Sequence, residues 1–279
     1  MGAAEVRLDG PQDLRDIVRQ ELLTRQLDEQ ITGRFPVGRR LRVLDVGMGR
    51  GAQALRLARL GHQVTGVEQD ATLVAAAREA VSREPEGIRE RVRLVQGDGR
   101  DTGVHFLPGS FDVVLCHGVL MYVEEPDPLV AGLARMLAPG GLLSLVVRNG
   151  DALAMRPGLT GDWAGALAAF DGAATLPHAR TAPDGDTGAD PDGDTDGDTP
   201  LRTGPDVRAD RLASLTATLA GIAAPLHAWY GVRVFTDTAA DGAPLPADLG
   251  TLLAVEERAG RTDPYRRVAA LLHLCGVRG

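Results

Sequence analysis

The residues best arranged for chemistry fall in one stretch, LRVLDVGMGRGAQALRLARLGHQVTGVEQD, residues 41–70. Gly47, Gly49 and Gly51 recur at alternate positions just after the acid Asp45, and Glu68 closes the next apolar run. Glycines at that spacing are needed where a strand turns sharply into a helix and a ligand lies against the main chain. An acid about 20 residues further on is placed to accept hydrogen bonds from the two ribose hydroxyls of an adenosine.

The spacing also says which adenosine. D-x-G-x-G-x-G differs from the G-x-G-x-x-G fingerprint that seats a dinucleotide pyrophosphate on a helix N-terminus. It favours S-adenosylmethionine, which has no pyrophosphate and carries an amino-acid tail that can hydrogen-bond to the loop. Two further segments fit. Gly97-Asp98-Gly99-Arg100 is a polar turn after a β-rich run, positioned to reach an adenine ring, and Phe111-Asp112-Val113-Val114-Leu115-Cys116-His117 is a strand that delivers His117 to the cleft.

The elements that must position these residues follow from periodicity. Leu41 to Val46, Gln63 to Val67, Val92 to Gln96, Asp112 to Cys116 and Leu142 to Val147 read as strands; Ala52 to Leu60, Ala71 to Ser82 and Pro128 to Leu137 read as helices between them. Regular alternation predicts right-handed βαβ units and a sheet covered on both faces. A helix over Ala209 to Ala223, a strand near Trp229 to Phe235, a helix near Pro246 to Ala259 and a last strand near Ala269 to Cys275 would complete it. The expected fold is a single α/β domain, a Rossmann-like seven-stranded, mostly parallel sheet. An N-terminal helical cap (1–40), a cofactor-binding core (41–150) and a C-terminal part (207–279) make it up.

The order D-x-G-x-G-x-G, Glu68, G-D-G-R, F-D-V-V-L-x-H and Leu137-Ala138-Pro139-Gly140-Gly141 resembles class I S-adenosylmethionine-dependent methyltransferases of the type 11 group, over Leu41 to Val147. Arg19-Gln20-Glu21-Leu22-Leu23, Leu143-Ser144-Leu145 with Asn149, Gly231-Val232-Arg233-Val234-Phe235 and Asp263-Pro264-Tyr265 extend the resemblance to bacterial tRNA 5-carboxymethoxyuridine methyltransferases. In those relatives the nucleophile is the carboxylate of a modified wobble uridine. The resemblance implies that Arg19 reaches the methionine carboxylate from the capping helix, that Gly47, Met48 and Gly49 line the tail, and that Glu68 holds the ribose. Asp98, Gly99 and Arg100 would meet the adenine, and His117 would form the floor beside the methyl group. Arg233 and Arg148, with Arg156 as a further candidate, would orient an acceptor carboxylate, whose planar pair of oxygens matches a guanidinium. Trp163, Trp229 and Tyr230 would wall an acceptor pocket or fill the core.

Composition sets the limits. The chain has 279 residues with a net charge of -8, and all 30 of its basic residues are arginine, which excludes any Schiff-base lysine. Seven aspartates lie between Asp184 and Asp198; without them the balance would be -1, so the remainder is nearly neutral. That stretch reads as part of an acidic, solvated insert over 176–206. Asp192 to Asp198 imitates the first half of a calcium loop, but position twelve is Thr203 in place of the bidentate Glu, so no metal is expected. Cys116 and Cys275 sit in apolar runs as structural thiols. No apolar run is long enough to span a membrane and no signal sequence opens the chain, so a cytoplasmic location is expected. The tRNA relatives carry a Lys-rich loop where this chain has its acidic insert, which leaves two acceptor classes open: a carboxylate on tRNA, or a small metabolite with an oxygen or nitrogen nucleophile. An NAD-dependent reductase would use Glu68 in the same way but lacks the Tyr-x-x-x-Lys pair, and a non-catalytic cofactor-binding protein is the remaining alternative.

Overall fold

Asp13 starts the first helix by accepting the Arg15 backbone N–H at 3.0 Å, a side-chain cap for one of the orphan amides. A computed structural model describes residues 13–172 and 207–279. The acidic insert and its calcium-like motif therefore lie outside the described residues. In chain order the elements are α1 (Leu14–Arg34), β1 (Arg42–Val46), α2 (Ala52–Arg59), β2 (Gln63–Glu68), α3 (Ala71–Ser82), α4 (Glu86–Arg89), β3 (Val92–Gln96), α5 (Thr102–His105), β4 (Phe111–His117), α6 (Pro126–Met136), β5 (Leu137–Arg148), α7 (Met155–Leu159), α8 (Trp163–Gly172), α9 (Leu212–Gly221), β6 (Leu226–Val232), α10 (Leu249–Ala259) and β7 (Leu271–Val277).

The seven strands form one sheet in the order β3-β2-β1-β4-β5-β7-β6, with β7 alone running against its neighbours. The chain winds outward from β1 to β3, then returns to place β4 on the other side of β1, so the switch point lies between the C-terminal ends of β1 and β4. Strand alternation sorts the two faces. Leu44, Val46, Val114, Cys116, Leu143 and Leu145 pack with Leu129, Val130 and Leu133 of α6 and with Leu215 and Leu219 of α9. On the opposite face Val43, Val113, Leu115 and Leu142 pack with Leu27 and Ile31 of α1 and with Leu57 and Ala58 of α2. Further along α1, Leu14, Val18, Leu22 and Leu23 cover Val146, Val232 and Leu271.

Several boundaries differ from the sequence expectation; α10 starts at Leu249 rather than Pro246, and β7 spans Leu271–Val277 rather than Ala269–Cys275. β5 begins at Leu137 rather than Leu142, because Leu137 pairs with Phe111 across a register shift before the regular ladder starts. The sixth strand ends at Val232 rather than Phe235, because Arg233 takes a left-handed conformation, φ 62°, that turns the chain out of the sheet. α9 starts at Leu212, not Ala209, since Asp210 is drawn into a bridge with Asn149, its N–H bonding the Arg148 carbonyl at 3.0 Å. The capping helix spans Leu14–Arg34 of the expected 1–40.

Candidate active site

The loop from β1 to α2 is shaped by its glycines. Gly47, Gly49 and Gly51 all have positive φ, 70°, 56° and 82°, a region costly to any residue with a Cβ. The Gly47 and Met48 amides bond the Val67 carbonyl at 2.8 and 3.3 Å, which pins the loop to the end of β2. A Cβ on Gly47 would run into the Val119 side chain, and one on Gly99 into Val46. Both glycines therefore let their loops pack closely against Val119 and Val46, which themselves line the cleft.

Glu68 ends β2 beside this loop. Its Oε2 accepts the Gly49 N–H and its Oε1 the Asp70 N–H, each at 3.0 Å, so the carboxylate is fixed while lone pairs on both oxygens stay available. After β3, Asp98 accepts the Arg100 backbone N–H at 2.8 Å and pairs with its guanidinium. The Arg100 hydrogen bonds hold the Asp98 carboxyl below the usual range. His117 ends β4 half-buried, and burial, with His273 and Arg19 nearby, pushes its pKa well down, so it is neutral at pH 7.

These elements enclose a cavity of about 890 Å³ at the switch point. Arg19, Asp45, Gly47, Met48, Gly49, Glu68, Asp98, Gly99, Arg100 and His117 all line it. Gln20, Asp70 and Tyr122 line it too and were not among the sequence candidates. Asp70 carried a signal, as the cap of α3 two residues beyond Glu68. Gln20 lies in the run that carries the resemblance around Arg19, whereas Tyr122 has no signal that separates it from surface residues.

The arginines assigned to the acceptor are placed differently. Arg148 and Arg233 are not among the residues lining this cavity. Arg233 is 5% exposed, not a charge on an edge strand facing solvent, and pairs with Asp237. Arg156 approaches the same Asp237 oxygen at 3.8 Å and donates to the Asp237 carbonyl at 2.5 Å. Arg148, half-buried at the end of β5, is close enough to feel both Asp237 and Arg156. A smaller cavity of about 120 Å³ lies here, lined by Arg156, Phe235 and Asp237 among others. Trp163, Trp229 and Tyr230 line neither cavity: Trp163 is exposed, Trp229 stacks under the Arg266 guanidinium at 3.9 Å, and Tyr230 is buried under α1. The two thiols are buried and unreactive, each pushed up to about 12 by burial. Among the described residues no group of three His, Cys, Asp or Glu side chains could hold a metal, and no helix is long and apolar enough to cross a membrane.

A family model described as a methyltransferase domain matches residues 44–145, the segment that builds this cavity. Residues 44–145 thus match a methyltransferase domain and fold as its Rossmann-like α/β sheet. The tRNA 5-carboxymethoxyuridine methyltransferase of Escherichia coli K12 is 32% identical over 146 residues, 52% of this chain and 54% of that protein. The ubiquinone biosynthesis O-methyltransferase of Xanthomonas euvesicatoria is 37% identical over 108 residues, 39% of this chain and 43% of that protein. The chain thus spans about half the length of the curated relatives it matches. Among solved structures, a SAM-dependent methyltransferase from Methanosarcina mazei superposes with a TM-score of 0.56 at 15% identity, covering 89% of this chain and 96% of that one. The cyclase SpnF does so with 0.53 at 20% identity, covering 91% and 80%, so this methyltransferase fold also frames other chemistry.

Proposed function

We propose that the protein transfers the methyl group of S-adenosylmethionine to an oxygen nucleophile, a carboxylate. The cavity fits the cofactor: its volume suits a nucleoside with an amino-acid tail, its glycine cradle has no room for side chains, and its donors and acceptors match both ends of the molecule. Glu68 would hold the ribose hydroxyls, the Asp98 to Arg100 turn the adenine, and Arg19 with the Gly47 to Gly49 loop the tail. When bound, S-adenosylmethionine supplies a methyl carbon on a sulfonium, open to in-line displacement. What remains for the chain is to hold the acceptor close, align it and exclude water. A carboxylate is already ionised at pH 7 and needs orientation rather than a general base.

The observation that carries the acceptor class is Asp237. Arg156 and Arg233 bond it and Arg148 lies within electrostatic reach, at the end of the strand next to the one that bears His117. A carboxylate already occupies this cluster, so its chemistry suits a second one in exchange. The tRNA-acting relative argues for a carboxylate on tRNA. The similarity to an O-methyltransferase of ubiquinone biosynthesis, and a chain without lysine and with a net charge of -8, support a small-molecule oxygen nucleophile as the second reading. Labelled methyl transfer into bulk tRNA, or into low-molecular-weight carboxylic acids, separates the two. In whichever assay shows turnover, Arg233→Ala should abolish transfer while S-adenosylhomocysteine affinity stays within about twofold; unchanged turnover would exclude the arginine cluster as the acceptor site.

A further inference from the structure

A polar seam crosses the sheet beneath α1. His117 of β4, Ser144 of β5 and His273 of β7 share the face that α1 covers, although each interrupts an apolar run. His117 Nε2 lies 2.8 Å from Ser144 Oγ, Ser144 Oγ lies 2.8 Å from His273 Nε2, and His273 Nδ1 lies 2.8 Å from Gln26 Oε1 of α1. Ser144, His273 and Gln26 are fully buried. The chain thus runs from the cofactor cavity to the helix that also carries Arg19 into the cavity wall.

Its direction follows from donor and acceptor counting. Gln26 Oε1 can only accept, so His273 carries its proton on Nδ1. Burial holds the His273 pKa down to about 3, so its Nε2 is bare and accepts the single Ser144 hydroxyl proton. Ser144 Oγ must then accept from His117, which places the His117 proton on Nε2. His117 Nδ1 is left as an unprotonated acceptor with no hydrogen bond among the described residues. Arg19 stands close enough to His117 to depress its pKa. A cation and a neutral acceptor side by side are what the carboxylate and ammonium of an α-amino acid require.

We propose that Gln26, His273 and Ser144 form a positioning relay that fixes the tautomer of His117, so that Nδ1 accepts a hydrogen bond from the ammonium of the cofactor's amino-acid tail. The inference rests on the S-adenosylmethionine reading above. Nitrogen-15 NMR of the histidine-labelled full chain at pH 7 reads the tautomer directly and needs no relay variant. The Nε2–H form of His117 is expected; the Nδ1–H form, which would require the Gln26 amide to turn over and the whole chain to reverse, overturns the relay. Ser144→Ala, and independently Gln26→Met at the far end, should convert His117 to a mixture of tautomers. Each should weaken S-adenosylhomocysteine binding by about tenfold, the share of a charge-assisted hydrogen bond lost with its orientation. Neither should change binding of 5′-methylthioadenosine, which lacks the tail. Equal losses for both nucleosides, or no loss for either, overturn the tail contact. If S-adenosylhomocysteine fails to bind the wild type, the methyl-donor reading falls and the tail contact falls with it, while the tautomer still decides the relay.

Discussion

Glu256 of α10 is 1% exposed, and its carboxylate clamps the turn that carries Arg233 and Asp237. Its Oε1 accepts the Phe235 N–H at 3.0 Å, the Thr236 N–H at 2.7 Å and the Thr236 hydroxyl at 2.7 Å, and its Oε2 accepts the Val234 N–H at 2.8 Å. Glu256→Gln keeps the shape but sets an NH2 group against at least one of those donors. The better orientation preserves the three bonds to Oε1, removes their charge assistance and strands the Val234 N–H. A buried unsatisfied donor costs about 1–3 kcal/mol and loss of charge assistance adds to it, so the destabilisation should be about 3 kcal/mol. For a chain of this size that lowers the melting temperature by roughly 6–10 °C. Differential scanning calorimetry measures it, with Glu257→Gln as the neighbouring control. Glu257 is partly exposed and pairs with Arg25 and Arg261 at the surface, so its substitution should cost under about 1 kcal/mol. Neither Glu256 nor the turn lines the larger cavity, so S-adenosylhomocysteine affinity should survive below the new melting temperature while methyl transfer falls. A melting temperature within about 1 °C of wild type would refute the clamp and with it the placement of Arg233.

Three shorter predictions follow from the same geometry. His273 is fully buried with its pKa pushed down from about 6.5 in an unfolded chain to about 3, so the unfolded state binds the extra proton. Stability should be intact above pH 6.5 and fall by up to about 1.4 kcal/mol per unit as the pH drops toward 3; urea titrations at pH 7 and pH 5 should show a shallower loss in His273→Gln, and equal losses would count against a buried neutral imidazole. Gly47→Ala combines a positive φ with a clash against Val119, so it should lower stability by about 1–3 kcal/mol and weaken S-adenosylhomocysteine; a variant that melts and binds like wild type would disprove the cradle. Asp112 is buried at the opposite end of β4 and accepts from Arg39, Arg42 and the Arg42 amide, so Asp112→Asn should cost about 1–2 kcal/mol in urea unfolding with cofactor affinity unchanged, and altered affinity would contradict its distance from the site.

Much of the fold was legible because a sheet covered on both faces turns its strands into near-continuous apolar runs, separated here by glycines and acids that cap helices. Val92 to Gln96 and Ala71 to Ser82 appear with the bounds their periodicity implies. The cofactor loop was legible for a different reason: strand, turn, helix and the acid after the next strand are consecutive, so local spacing encodes the geometry. The arginine cluster around Asp237 was not. Gly231 to Phe235 reads as a strand by composition, but contacts between separate elements, the Glu256 clamp on residues 234–236 and the Ala270 N–H on the Arg233 carbonyl, accompany the left-handed turn at Arg233 that ends β6. The polar seam was equally hidden, since Gln26, His117, Ser144 and His273 come from four elements and each alone looks like a polar residue interrupting an apolar pattern. The glycine loop is thus written in neighbours along the chain, and the arginine cluster in neighbours across the fold.

The central claim is that the cavity built around Glu68 is an S-adenosylmethionine site. Isothermal titration calorimetry of the full chain with S-adenosylmethionine and with NADH, on wild type and Glu68→Ala, tests it most directly. Wild type should bind the methyl donor and not NADH, and loss of the ribose hydrogen bonds, about 2 kcal/mol, should weaken the donor about 30-fold or more in the variant. No binding of S-adenosylmethionine, or equal affinity for wild type and Glu68→Ala, would contradict the account.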